Sequence, residues 1–269
     1  MLTVARQPAD AHLMTDLRHT AAPPRPELET LRMPLDDGSS TTLRVVRFDR
    51  SRFGARVVRI RPMRKLTEWC ADNGAPDALI GGFYVRSEQL PLGELRIGGR
   101  RMDSRPFDSP WDTVRACVHS LDGTVSLRSR LELPAEPDGD LLQAGPMLIR
   151  DGVSLVEPGS DPEGFSAGAR QFDSDITAGR YPRAALGVTP SQLIAVVCEG
   201  RADDEAGLNL AELAAAMSDL GAVDAINLDG GGSASLVIGG ELVNSPREQH
   251  GAGIPGGRSV PTALHFFAR

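Results

Sequence analysis

Arg183-Ala184-Ala185-Leu186-Gly187-Val188-Thr189-Pro190-Ser191-Gln192-Leu193-Ile194-Ala195-Val196-Val197-Cys198 sets two apolar segments on either side of a four-residue polar turn. Read as a hairpin, it makes two adjacent antiparallel strands and brings Arg183 to the same end as Glu199-Gly200-Arg201. Leu193 to Cys198 is the longest purely apolar run, far below the roughly 20 residues that a membrane helix needs. It therefore reads as a buried strand.

Working outward, further β-branched or apolar runs bounded by Gly, Pro or Asp lie at 78–83, 94–97, 114–119, 124–130, 147–150, 223–228, 235–238 and 262–267. Residues 43–48 and 55–60 flank a polar turn and read as another hairpin. Two stretches carry helical spacing. Lys65 to Asp72 places Leu66, Trp69 and Cys70 on one side, and Asn209 to Leu220 places Leu210, Leu213, Ala214 and Met217 on one face. Asn209 with Glu212 forms a capping-box pair at the start of the second, and Gly221 supplies its stop. Residues 1–42 have scattered hydrophobics, three close prolines and a turn-like Asp36-Asp37-Gly38-Ser39-Ser40, and read as an arm or linker. The expectation is a mixed α+β fold over residues 43–269, a single catalytic domain with a strand-rich large sheet and helices packed on it.

The 269 residues are 41% hydrophobic and 24% charged, which excludes collagen-like, disulfide-scaffold and wholly disordered classes. A net charge of −7 gives no whole-chain footprint for nucleic acid or an anionic membrane, so an anionic partner must meet a local basic pocket. Only one of the 29 basic residues, Lys65, is a lysine. Cys70, Cys117 and Cys198 are odd in number and lack metal-ligand spacing, and read as buried thiols. None of the five histidines shows a zinc-hydrolase spacing, so no cofactor is required; a divalent cation at Asp229 is chemically possible but no spacing calls for one. The first ten residues lack a basic stretch followed by an apolar core, giving the expectation of a cytoplasmic protein.

The strongest chemical signal is Asn227-Leu228-Asp229-Gly230-Gly231-Gly232-Ser233, directly after an apolar strand. Three glycines let a ligand approach the backbone closely, and a carboxylate at a strand end is open to substrate. It is neither a Walker loop nor a dinucleotide fingerprint, and a plain strand connection has the same glycine pattern. Arg183 and Arg201 suit bidentate binding of phosphate or carboxylate, and equally a surface ion pair. Arg258, in Gly256-Gly257-Arg258-Ser259 before the last strand, is a third anion contact by the same reasoning or a turn arginine in water.

Several of these segments together resemble the ordered motifs of the phosphodiester glycosidase family: Gln143 to Gly152, Arg180 to Val188, Glu199-Gly200-Arg201, Gly207 to Ala214 and Asn227 to Ser233. The resemblance covers about 43–269, with Gly81-Gly82-Phe83-Tyr84 similar to a further family segment in which asparagine stands at the position of Ile80. It implies hydrolysis of a sugar-1-phosphodiester, of which N-acetylglucosamine compounds are an example, at the glycosidic C1–O bond. It also implies site roles: Asp229 as base or nucleophile, Glu199 as second carboxylate, and Arg183, Arg201, Arg258 with Gly230, Gly231 and Gly232 holding phosphate. Asn227, Ser233, Gln143 and Gly82 would contact substrate, and Tyr84 would stack on the sugar. The implied partner is a small sugar phosphodiester, with neither nucleic acid nor membrane. Alternatives are a glycosidase for non-phosphorylated α-linked sugars on the same scaffold and a non-catalytic sugar-phosphate binder.

Overall fold

The computed structural model describes residues 26–157, 160–166 and 179–269. They build three antiparallel sheets and one small two-stranded ribbon. In the seven-stranded sheet the order is Glu27–Pro34, Ser40–Asp49, Gln192–Cys198, Arg183–Val188, Asp224–Asn227, Met147–Arg150 and Val153–Ser154. One five-stranded sheet runs Thr124–Ser129, Ala116–Leu121, Asp140–Gln143, Leu95–Ile97, Arg100–Arg101, and the other Glu241–Leu242, Leu236–Ile238, Asp77–Ile80, Ser259–Ala268, Phe53–Lys65.

The 183–198 hairpin forms as the sequence predicts, pairing Arg183 with Cys198 through to Val188 with Leu193. Its second strand explains its unbroken apolar run. Leu193, Ala195 and Val197 face a core shared by the three sheets, while Ile194, Val196 and Cys198 face the helix Leu210–Asp219. A strand buried on both faces loses the apolar-polar alternation of a half-exposed one. In the shared core Phe48 stacks on Phe266 with ring centroids 4.1 Å apart. The helix is capped as expected, with Glu212 N donating to Asn209 Oδ1 (2.8 Å) and Asn209 N to Glu212 Oε2 (2.9 Å). The shorter helix, Leu66–Asn73, buries Leu66 and Cys70.

Three expectations change. The protein is predominantly β, with several sheets in place of one large sheet and few helices. Ser40–Asp49 and Phe53–Lys65 do not pair as a hairpin. The first joins Gln192–Cys198 and the second pairs along nearly its full length with Ser259–Ala268, because each then buries an apolar face in the shared core. The boundary expected at residue 42 falls inside a strand, since Glu27–Pro34 pairs with residues 40–47. Its edge position leaves most of it exposed, so no apolar alternation announces it. The remaining part of the expected arm, 1–25, lies outside the described residues.

Candidate active site

The site forms where three chain segments meet beyond the end of Asp224–Asn227. Leu228 N donates to Ala184 O (2.9 Å), and Asp229 N donates to Gly81 O (3.1 Å), which ties the seven-stranded sheet to the segment after Asp77–Ile80. The chain then turns through a short 3₁₀ helix, Gly231–Ser233. Asp229 Oδ1 accepts from Gly230 N (2.9 Å), while Oδ2 is sealed from solvent with no hydrogen-bond partner. Burial pushes this carboxyl up to about 6; the Ser233 hydroxyl, the Gly230 amide and the charges of Arg258 and Arg86 pull it partly back. A carboxylate lacking its full set of donors is a stronger base than an ordinary aspartate.

The triglycine turn works differently from an amide nest. The Gly230 and Gly231 amides are spent on Asp229 Oδ1 and Pro182 O. What the glycines supply is room for guanidinium groups. A Cβ on Gly231 would stand 3.2 Å from Arg201 Nη2, and one on Gly232 2.7 Å from Arg258 Nη2. Arg201 donates to Arg247 O (3.0 Å) and lies over the Tyr181 ring at 5.7 Å, and Arg258 Nη2 donates to Glu248 Oε2. Burial and the like charges of Arg258 and Arg86 push the Arg201 guanidinium down from its usual range. These cations share one small region, and their mutual repulsion favours an anion between them.

Tyr84 lies in the ribbon Tyr84–Val85 paired with Leu90–Pro91. Burial and then the Asp229 charge raise its phenol, with Ser233 and Arg258 also acting on it, so its hydroxyl end belongs to the carboxylate cluster. Asp229, Ser233, Tyr84, Arg201, Arg258 and the glycines are therefore brought together.

Other expected site residues are committed elsewhere. Arg183 is buried, donating from Nε to Leu208 O (3.0 Å) and from Nη2 to Gly179 O (3.3 Å), with its guanidinium over Tyr181 at 5.3 Å. It braces the wall behind Arg201. Glu199 accepts Ser245 N on both oxygens (3.1 and 3.0 Å) and has Arg44 Nε at 3.8 Å. Burial raises this carboxyl while the Ser245 amide and Arg44 oppose the rise. Both oxygens share the Ser245 amide, so the side chain anchors that loop. Gln143 Oε1 accepts from Glu94 N (3.0 Å) and its Nε2 donates to Asp112 O (2.7 Å), and Gly82 sits so tightly that a Cβ would stand 3.1 Å from Gln143 O. Asn227 Nδ2 donates to Gly145 O (2.9 Å) and its Oδ1 is buried without a partner.

Three contributors escape sequence reading. Arg86 and Glu248 reach the cluster from connecting loops, and Tyr181 from a bridge to Leu208 within the Arg180–Val188 segment. Only the Arg180-Tyr181-Pro182-Arg183 segment offers a signal, an aromatic between two arginines. Among the described residues, no group of three or more His, Cys, Asp or Glu side chains is placed to hold a metal, and no helix is long and apolar enough to cross a membrane.

A family profile described as "Phosphodiester glycosidase" matches residues 73–267. The chain is 29% identical over 187 residues to the Bos taurus N-acetylglucosamine-1-phosphodiester alpha-N-acetylglucosaminidase, covering 67% of this chain and 34% of that protein. It is 30% identical over 177 residues to the Mus musculus enzyme of the same name, covering 65% of this chain and 34% of that protein. The matched stretch thus spans about a third of these relatives. In fold it is similar to the zebrafish N-acetylglucosamine-1-phosphodiester alpha-N-acetylglucosaminidase catalytic domain auto-inhibited by pro-peptide. That likeness has a TM-score of 0.69 and 18% identity, and covers 93% of this chain and 85% of the other.

Proposed function

Since the chain belongs to the phosphodiester glycosidase family, we propose that it hydrolyses the glycosidic C1–O bond of a sugar-1-phosphodiester, releasing free sugar and a phosphomonoester. N-acetylglucosamine, named in the two mammalian relatives, is the first sugar to try. The observation that carries this reading is the buried, unpartnered Asp229 Oδ2 beside a turn against which Arg201 and Arg258 are pressed.

In this reading Arg201 and Arg258 hold the phosphate while the C1–O bond breaks. The bonding pair passes to the phosphate oxygen, where guanidinium charge stabilises it. Asp229 takes a proton from the water that adds to C1, so the water oxygen ends on the sugar. A phosphomonoester is a weakly basic leaving group, so no strong acid need protonate it. That fits a site in which Glu199 is turned to Ser245 and Arg44. The Tyr84 and Ser233 hydroxyls offer neutral hydrogen bonds at the carboxylate.

The test incubates the protein with N-acetylglucosamine α-1-phosphodiesters and plain α-N-acetylglucosaminides, following free sugar and phosphomonoester. Equal release of both from the diester, none from the glycoside, and none with Asp229→Asn are expected. Equal cleavage of the plain glycoside would defeat the reading. Release of the sugar with retained anomeric configuration would make Asp229 a nucleophile instead of a base.

A further inference from the structure

The ion pair between Arg258 and Glu248 is half open to water, with the glutamate side chain 47% exposed. Pairs of that kind add little to stability. Yet the backbone holds this one firmly. Glu248 N donates to Ala252 O (2.8 Å), Gly251 N to Glu248 O (2.9 Å), Ile254 N to Pro246 O (2.8 Å) and Gly257 N to Ile254 O (2.9 Å). The strap is fixed at its flank by Arg201 Nη1 on Arg247 O (3.0 Å), and Ile254 Cδ1 would lie 2.8 Å from a Cβ on Gly232. Glu248 is therefore a fixed negative charge on the rim of the arginine pocket. The charges of Arg258, Arg86 and Arg201 all act on its carboxyl and hold it below the usual carboxylate range, the Arg258 hydrogen bond most strongly.

We infer that Glu248 sets the charge selectivity of this pocket, weakening the doubly charged phosphomonoester that hydrolysis would leave there more than the singly charged phosphodiester. The inference rests on the proposed reaction for the identity of its two ligands. Coulomb energy is linear in ligand charge, so a fixed carboxylate repels a dianion about twice as strongly, in free energy, as a monoanion in the same place. Arg201 and Arg258 line the turn, with Glu248 paired to Arg258 at the rim and Asp229 at the floor, so a second ligand charge meets the Glu248 repulsion over again. The consequence is weakened product binding: the phosphate gains a charge on cleavage and meets about twice the repulsion from Glu248.

The experiment compares wild type with Glu248→Gln at pH 8, where a phosphomonoester is a dianion. It measures the dissociation constants of a sugar-1-phosphodiester, in an Asp229→Asn background that leaves it uncleaved, and of the matching phosphomonoester. A second measurement is the inhibition constant of that monoester against turnover with Asp229 intact. Removing the carboxylate is expected to tighten the diester about three- to tenfold at low salt and the monoester by about the square of that factor. The difference should shrink in about 1 M salt. Equal gains for both ligands, or weakening of both, would overturn the inference and leave Glu248 as a positioning partner of Arg258. If no diester is hydrolysed but the two binding constants still move as a factor and its square, the charge selectivity stands and the proposed reaction fails. If hydrolysis occurs and the constants move together, the reverse holds.

Discussion

The Arg258 guanidinium occupies the space that any side chain on Gly232 would need, since a Cβ there would stand 2.7 Å from Nη2 and 3.0 Å from Cζ. The glycine is thus a steric condition for the arginine. Gly232→Ala meets the free end of a long side chain and the tip of Ile254, so the fold can give where the site cannot. We expect kcat/KM to fall at least about tenfold with a denaturation midpoint close to wild type. A variant that kept full turnover would mean that Arg258 need not stand where it does.

Asp229 is predicted to trade stability for reactivity. Its folded-state carboxyl is raised to about 6, so the stability it contributes is fully present below its unfolded value near 4 and is lost as pH rises through about 6. Asp229→Asn should therefore be inactive yet more stable than wild type at pH 8. The gain is about 1–2 kcal/mol, allowing for the residue's partial contact with water, and should fade between pH 6 and 4. Chemical denaturation at both pH values measures this. In the wild type, kcat/KM should rise through about pH 6, as Asp229 must be ionised to accept a proton.

Two arginines of similar sequence context should respond in opposite ways. Arg201 faces the triglycine turn, so Arg201→Ala is expected to lower kcat/KM by about 10²–10³ with little change in melting temperature. Arg183 is 3% exposed and satisfies the carbonyls of Leu208 and Gly179. Arg183→Ala should cost about 2–4 kcal/mol of stability, since it removes both hydrogen bonds and leaves a cavity where the buried guanidinium lay over Tyr181. Thermal unfolding run beside the kinetics separates the two.

Glu163 is buried away from the arginine pocket, accepting Met147 N (2.6 Å) and Ala116 N (2.7 Å) on its two oxygens, while Arg115 Nε donates to its carbonyl (3.0 Å). Burial raises its carboxyl to about 7 against the pull of those amides. Glu163→Gln turns one acceptor into a donor facing an N–H, which should cost about 1–3 kcal/mol near pH 6. The deficit should narrow as pH rises from about 4.5 to 7, where the unfolded chain has released the proton that the raised wild-type carboxyl still holds, and should level off above 7. A variant as stable as wild type at pH 6 would show that the two amides find other acceptors.

Local sequence chemistry determined the buried central strands, the 183–198 hairpin, the Asn209–Glu212 cap, and the identity of Asp229, Arg201 and Arg258 as residues fit for a charged ligand. Each rests on contacts or preferences within a few residues: turn chemistry, capping, or a carboxylate set among glycines. Tertiary structure decided how the strands divide among three sheets. It parted Ser40–Asp49 from Phe53–Lys65, because burial in a shared core outweighs the pairing that a short turn favours. It also decided which candidates meet around the triglycine turn. A buried bracing arginine such as Arg183 and one packed against the glycine turn such as Arg201 look alike in sequence. Arg183 is buried with donors on Leu208 O and Gly179 O, whereas Arg201 packs on Gly231 with one donor on Arg247 O, and that difference is fixed when the sheets close.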